Sequence, residues 1–276
     1  MIKKLQLPYL IVGCFLIFSC ETFESLLNGG SSPSQQNPPK SQSTASSNSQ
    51  SAAAIAASQP VRDDPNRRGD PDAANWNITV LDTAASVDYL LGIEKDVILE
   101  MNKIRNNPKK YAELYIQPRL KYFSGKNYSV PGQITIVTQE GSAAVNSCIT
   151  ALNRANAVGI LTPEKGLSLA AKDHVADQSK TGQTGHNGSD RSTPETRMKR
   201  YGSFSGTWTL GENIAYGDAT GREIVCSLLI DDGVPSRGHR ANILNKAFTQ
   251  TGSGFGTHTQ YRTSCTITYA NGYTSN

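Results

Sequence analysis

Cysteine is scarce in this chain, with 5 among 276 residues. Cys14 and Cys20 fall in the N-terminal run, which leaves Cys148, Cys226 and Cys265. Three thiols allow one disulfide at most, and three small buried side chains are an equal expectation. No Cys-x-x-Cys spacing marks a zinc knuckle. Net charge is also small, +4, and the basic residues are scattered apart from Arg197-Met198-Lys199-Arg200. That excludes the electrostatic footprint of a nucleic-acid binder, and the short basic run reads as a solvated helix face. Two enzyme signatures are missing as well. There is no His-Glu-x-x-His helix and no Gly-x-Ser-x-Gly elbow. Nor is there an uninterrupted apolar run long enough for a membrane span.

What is present begins with a short basic start, Met1-Ile2-Lys3-Lys4, and a mostly apolar stretch from Leu5 to Phe18. This is a signal-peptide pattern. It ends Leu16-Ile17-Phe18-Ser19-Cys20, which resembles a bacterial lipoprotein box and makes Cys20 the expected lipidation site. Ile11-Val12-Gly13-Cys14 fits the same box but would leave a very short apolar run. The expected division is therefore a lipoprotein-type signal peptide over residues 1–19 and a tether over 20–75. Removing Lys3 and Lys4 leaves 25 basic against 23 acidic side chains. The tether is rich in Ser, Gln, Asn, Pro and Ala and lacks the large apolar side chains that offset ordering entropy. A flexible coil of that length spans roughly 40 Å. The expected location is an exported one: the bacterial cell envelope or surface as a lipoprotein, or release outside the cell.

From residue 76 the composition becomes globular, and 76–276 suffices for one domain. Trp76 to Leu81 reads as a short strand or a packed lead-in. Ile93, Val97, Met101 and Ile104 share one helical face, with Glu94, Lys95, Glu100 and Lys103 mostly elsewhere. Pro108 breaks or restarts that helix. Tyr122 to Gly132 reads as loop and Ile134 to Val137 as a short strand. Ser142 to Ala157 is helical, with Gly159 able to close it. Leu167, Ala170, Ala171 and His174 define a further helical face, which predicts a packed, hydrogen-bonded His174. Thr181 to Asp190 is turn-rich. The next helix starts with Ser192 capping and Glu195 reaching back, or with Thr193 capping and Pro194 first in the helix. Thr220 to Glu223 is another capping box, followed by an apolar stripe of Ile224, Val225, Leu228 and Leu229. Asp231-Asp232 then falls at a helix C-terminus, where negative charge needs compensation. Gly252 to Thr257 and Ser264 to Tyr269 read as paired strands, giving an α/β layered domain. His258 lies in a polar run and is expected to be solvated.

Between Gly185 and Leu244, His186, Glu212, Asp231, Asp232 and His239 each stand beside glycine or at an element end. They are the candidates for one polar site. Glu100-Met101-Asn102-Lys103-Ile104-Arg105, Leu169 to His174 with Gly185-His186, Gly211-Glu212-Asn213-Ile214 and Gly238 to Leu244 together resemble, in order and spacing, the four signatures of the CAP superfamily of cysteine-rich secretory, antigen 5 and pathogenesis-related 1 proteins. The likeness covers residues 93–276 and is similar to the bacterial, cysteine-poor branch.

The resemblance implies an α-β-α sandwich with a central antiparallel sheet and a cleft holding two histidines and two acids. On this sequence those are His186, Glu212, Asp231 and His239, with Asp232 an equal contender for the fourth place. Leu228 stands where the family has an aromatic. The implied cofactor is a divalent metal, zinc first, held by His186 and His239 with the carboxylates as ligands or as a supporting shell. Sterol or fatty-acid ligands are implied too, and a surface adhesin or signalling ligand that offers the domain to a protein partner as a display scaffold is a third expectation. An enzyme of this type would use Glu212 as general base beside His239, but a binding module is the preferred expectation. Arg240, Asn213 and Asn242 are expected to be structural.

Overall fold

The computed structural model describes residues 73–276. The signal peptide, the tether, and the lipidation at Cys20 or Cys14 lie outside the described residues. The helices are α1 (Ile78–Leu81), α2 (Gly92–Asn106), α3 (Pro108–Tyr111), α4 (Ser142–Arg154), α5 (Lys165–Thr181), α6 (Pro194–Lys199), α7 (Gly221–Ile230) and α8 (Gly238–Ile243). The strands are β1 (Phe123–Ser124), β2 (Asn127–Tyr128), β3 (Ile136–Val137), β4 (Thr162–Pro163), β5 (Gly202–Tyr216), β6 (Gln250–His258) and β7 (Arg262–Ser275). The main sheet runs in the order β4-β6-β7-β5. It is antiparallel except where the two residues of β4 pair in parallel with β6. Helices α5 and α6 pack on one face, and α2, α7 and α8 on the other. The result is a three-layer α-β-α sandwich.

The two-residue alternation of β7 explains why there are two cores. Cys265, Ile267 and Tyr269 join the large cluster on the α2 and α7 side. Ala270 joins a smaller cluster with Leu167, Ala170, Met198 and Leu210, and on the same face the Thr268 hydroxyl donates to Leu167 O at 3.1 Å. On β6, Gly252, Gly254 and Gly256 lie against α5. A Cβ on Gly252 would lie 2.3 Å from backbone atoms of Leu167 and Ser168, and one on Gly254 would lie 2.7 Å from backbone atoms of Ala171 and Lys172. Two strand residues advance about 6.6 Å and four helix residues about 6 Å. The glycine ladder and the helix turns therefore keep step, and the backbones come into direct contact.

Several elements settle or depart from the sequence reading. Trp76 to Leu81 forms the packed lead-in and not the short strand, with Trp76, Ile78 and Leu81 in the core. Ile78 to Leu81 make a single helical turn, and buried Trp76 donates from its indole to the Tyr115 hydroxyl at 2.9 Å. Part of Tyr122 to Gly132 is not loop, because β1 and β2 pair as a minimal hairpin and β3 extends it. Helix α4 ends at Arg154, several residues before Gly159. Thr193 caps α6, accepting from the Thr196 N–H, with Pro194 first in the helix.

The charged side of α2 is not solvated either: Glu94, Glu100 and Lys103 are all buried. Glu94 accepts the N–H groups of Leu91 and Phe255 and pairs with Lys172. Glu100 accepts from Lys103 and from the Tyr111 hydroxyl. Partners supplied by other layers let this helix be covered almost all round.

Cys148, Cys226 and Cys265 are all free and buried, so the disulfide alternative does not hold. Burial pushes Cys148 and Cys265 up to about 12 and Cys226 up to about 11. Among the described residues no helix is long and apolar enough to cross a membrane.

Candidate functional site

The site is built as two imidazole–carboxylate pairs on opposite faces of the edge strand β5. Glu212 and Asn213 are consecutive there, so their side chains point to opposite faces. On one face, His186 Nδ1 meets Glu212 Oε1 at 2.9 Å. Arg197 Nη2 donates to the other oxygen of Glu212 at 2.7 Å, while Nη1 donates to the carbonyls of His186 and Ser192. A single buried guanidinium thus fixes both the carboxylate and the backbone of its histidine. Burial pushes the Glu212 carboxyl up, but the His186 hydrogen bond and the Arg197 charge outweigh it and hold the group below its usual range.

His186 follows a glycine whose φ of +96° is unfavourable for other residues. Three side chains fasten this turn. The Gly185 carbonyl accepts from His174 Nε2 and Gln178 Nε2, both at 2.8 Å, and its N–H donates to the Tyr216 hydroxyl at 3.1 Å. His174 is fully buried, and burial lowers its pKa. It is the packed, hydrogen-bonded histidine that its helical face predicts.

His258 overturns its expectation. It is 2% exposed, donates from Nε2 to Gln183 O at 3.0 Å, and accepts at Nδ1 from the N–H groups of Gln260 and Tyr261. It braces the segment before His186 from the opposite side. Arg197 is also no solvated residue, being 2% exposed. The basic run is split by helix geometry, with Arg197 and Met198 inward and Lys199 and Arg200 outward.

On the other face, His239 Nδ1 meets Asp231 Oδ1 at 2.6 Å. Asp231 closes α7 in the left-handed region, φ +58°, which turns its carboxylate onto the first turn of α8. There it accepts the N–H groups of His239 and Arg240 at 3.0 and 3.4 Å. The charge that is unfavourable at the end of α7 is met by the positive end of the next helix. Arg240 donates to the carbonyls of Leu229 and Ile230, the structural role expected of it. Asp232 is engaged elsewhere, accepting the N–H groups of Gln139 and Glu140 at 2.6 and 2.8 Å. Of the two contenders, Asp231 is therefore the histidine's partner.

Asn213 Nδ2 donates to His239 O at 3.1 Å, and Asn242 Nδ2 donates to Asn213 Oδ1 at 2.9 Å and to Glu212 O at 3.3 Å. Neighbouring positions of one strand thus hold both pairs, one on each face.

His186, Asp231 and His239 line a single cleft with Ile214, Ala215 and Tyr216 of β5. Phe123, Tyr128, Ile136 and Leu228 form an apolar arm of the same cleft wall, which Asp218 also lines. Glu212 lies behind the wall, 4% exposed. Among the described residues no three His, Cys, Asp or Glu side chains are grouped to hold a metal. With each Nδ1 facing a carboxylate, any metal would be taken by the ε nitrogens of His186 and His239, the carboxylates fixing the rings from behind. Two protein ligands are one fewer than zinc enzymes ordinarily supply. Sequence reasoning missed Arg197, Tyr216 and Asp218. Tyr216 had a signal in its place on the strand of the Gly-Glu-Asn motif, but an isolated Asp after that strand had none.

Residues 100–270 match the sequence profile of the cysteine-rich secretory protein (CAP) family. Among solved structures, one similar chain is an extracellular protein containing an SCP domain from Bacillus anthracis. It is 22% identical with a TM-score of 0.32, and the alignment covers 45% of this chain and 37% of that one. Another is an outer surface protein from Borrelia burgdorferi, 17% identical with a TM-score of 0.33, covering 49% of this chain and 89% of that one. No curated protein matches the sequence.

Proposed function

The chain belongs to the cysteine-rich secretory protein (CAP) family, and from that premise we propose that it is an exported binding protein of the cell surface whose cleft holds a divalent metal between His186 and His239. The observation that carries this reading is the double pairing of imidazole Nδ1 with carboxylate, His186 with Glu212 and His239 with Asp231. A carboxylate behind a ring fixes its orientation and raises the basicity of the far nitrogen. Zinc suits imidazole ligands, and when bound it supplies Lewis acidity to a polar group of whatever occupies the cleft.

Calorimetric titration of Zn²⁺ into the chain tests the metal. One saturable site is expected, weaker than structural zinc sites and abolished by His186→Ala and by His239→Ala. Silence in the unaltered chain, or equal binding by the variants, sinks the metal reading.

The anchor is part of the proposal and rests on the sequence around Cys20. Incorporation of a labelled acyl chain in a bacterial host, lost in Cys20→Ser, is the expected result. Labelling that persists in the variant removes Cys20 as the site.

Hydrolysis is the weaker reading. Both oxygens of Glu212 accept hydrogen bonds from protein groups, so the carboxylate is set to orient its imidazole rather than to take a proton from an occupant. The apolar arm favours a small ligand with hydrocarbon character over a display scaffold for a protein partner.

A further inference from the structure

The cleft wall carries a carboxylate that the metal reading does not use. Asp218 follows β5 and lines the cleft. Its Oδ2 accepts from the Ser227 hydroxyl at 2.6 Å. Among the described residues it pairs with no cation and receives no backbone N–H. The other carboxylates on the cleft wall are all matched. Glu223 holds Arg119 at 2.7 Å, Asp231 holds His239, and Asp232 takes two backbone N–H groups. The guanidinium on the wall of the apolar arm is ion-paired with Glu223 rather than with Asp218. Arg119 donates to Glu223, to Tyr115 O at 3.0 Å and to the Tyr128 hydroxyl at 3.4 Å. Asp218 is therefore the one charge on this wall that no ion pair or backbone N–H among the described residues answers.

We propose that this arm binds a small amphipathic amine, its ammonium on Asp218 and its hydrocarbon body between Phe123, Tyr128 and Leu228. The walls supply apolar contact and aromatic faces, both favourable to an organic cation. The cleft holds about 160 Å³, close to the roughly 150 Å³ that admits a benzene-sized molecule in a protein interior. Burial pushes the Asp218 carboxyl up to about 6, with the Ser227 hydroxyl opposing, Glu223 adding and Arg119 opposing. A desolvated carboxylate held by a single hydroxyl is costly, and a bound ammonium supplies the opposite charge and further hydrogen bonds. A fatty acid entering the same arm would set its carboxylate against Asp218.

The test uses the full chain, with EDTA present, in calorimetric titrations at pH 7.5. The probes are 2-phenylethylamine, 2-phenylethanol and 3-phenylpropanoate, which share an aryl-ethyl body and differ in head group. Saturable binding of the amine is expected, at least about tenfold tighter than either other probe, as one charge-assisted hydrogen bond warrants. Asp218→Asn is expected to erase that preference. The ranking of the three probes on the unaltered chain needs no variant, so a misfolded Asp218→Asn does not spare the proposal. Equal or tighter binding of the alcohol or the carboxylate overturns it, as does an amine preference that survives in a folded Asp218→Asn, or no saturable binding of the amine. Zinc and amine binding are read separately, and either can fail alone.

Discussion

Arg105→Ala is expected to lower the free energy of unfolding by about 4 kcal/mol, more than the loss of any one core methyl group. Arg105 is fully buried, and among the described residues no carboxylate is paired with it. Four carbonyls accept from it instead. Nε donates to Gly159 O at 2.7 Å, Nη1 to Ile243 O and Asn245 O at 2.8 and 2.9 Å, and Nη2 to Phe248 O at 2.7 Å. Ile243 is the last residue of α8, so part of the charge rests on the negative end of a helix. Burial lowers the guanidinium to about 10, which keeps it charged at neutral pH.

Alanine removes every donor and leaves four carbonyls without this partner, those of Ile243 and Phe248 buried. Lysine fares little better, because a point ammonium cannot reproduce a planar fork spread over two separate chain segments. In a domain of this size each kcal/mol moves Tm by about 2–4 °C, so a fall of roughly 10 °C should appear in calorimetry. A change under about 1 kcal/mol in denaturant titration would mean that the carbonyls find other donors and that Arg105 is not the staple its geometry indicates.

Gly252→Val is the second large effect, about 3 kcal/mol or more of destabilisation. Local preference points the other way, since valine favours strands and glycine weakens them. The clash decides the sign. The added Cβ would stand 2.3 Å from the Leu167 and Ser168 backbone, and a helix backbone cannot swing aside as a side chain can. Moving α5 also moves His174 and Gln178, which hold the turn before His186. Gly159→Ala is the matched control: no atom lies within 4 Å of its would-be Cβ, and the expected change is within about 0.5 kcal/mol. If both substitutions behave alike in denaturant titration, the close approach of β6 and α5 is not what stabilises this layer.

The parts of this architecture visible in the sequence were those set by local period and local capping. The stripe of Ile224, Val225, Leu228 and Leu229 lies buried on α7, and Thr220 caps that helix as its spacing indicated. His186, Glu212 and His239 converge because glycines and element ends mark all three. What stayed hidden depends on partners far along the chain. Arg105 and Arg197 look solvated by residue type, and only carbonyls and a carboxylate from other layers make their burial tolerable. His258 sits among polar neighbours, yet the hairpin turn folds it onto Gln183, 75 residues away. The glycines of β6 read as a strand, but their reason is a helix about 85 residues upstream. The choice between Asp231 and Asp232 turned on a left-handed backbone at one of two identical residues, which no pattern of residue types records.

The three buried thiols bear on when this domain can fold. No covalent cross-link has to form among residues 73–276, and thiols pushed up to about 11 or 12 hold little thiolate at neutral pH, the species that exchange requires. The native state is therefore indifferent to the redox poise of its surroundings. Reductant has no bond here to break, and a disulfide isomerase has no pairing to correct. In a family named for its cysteines, this member reaches the same sandwich by burying its few sulfurs as ordinary apolar side chains.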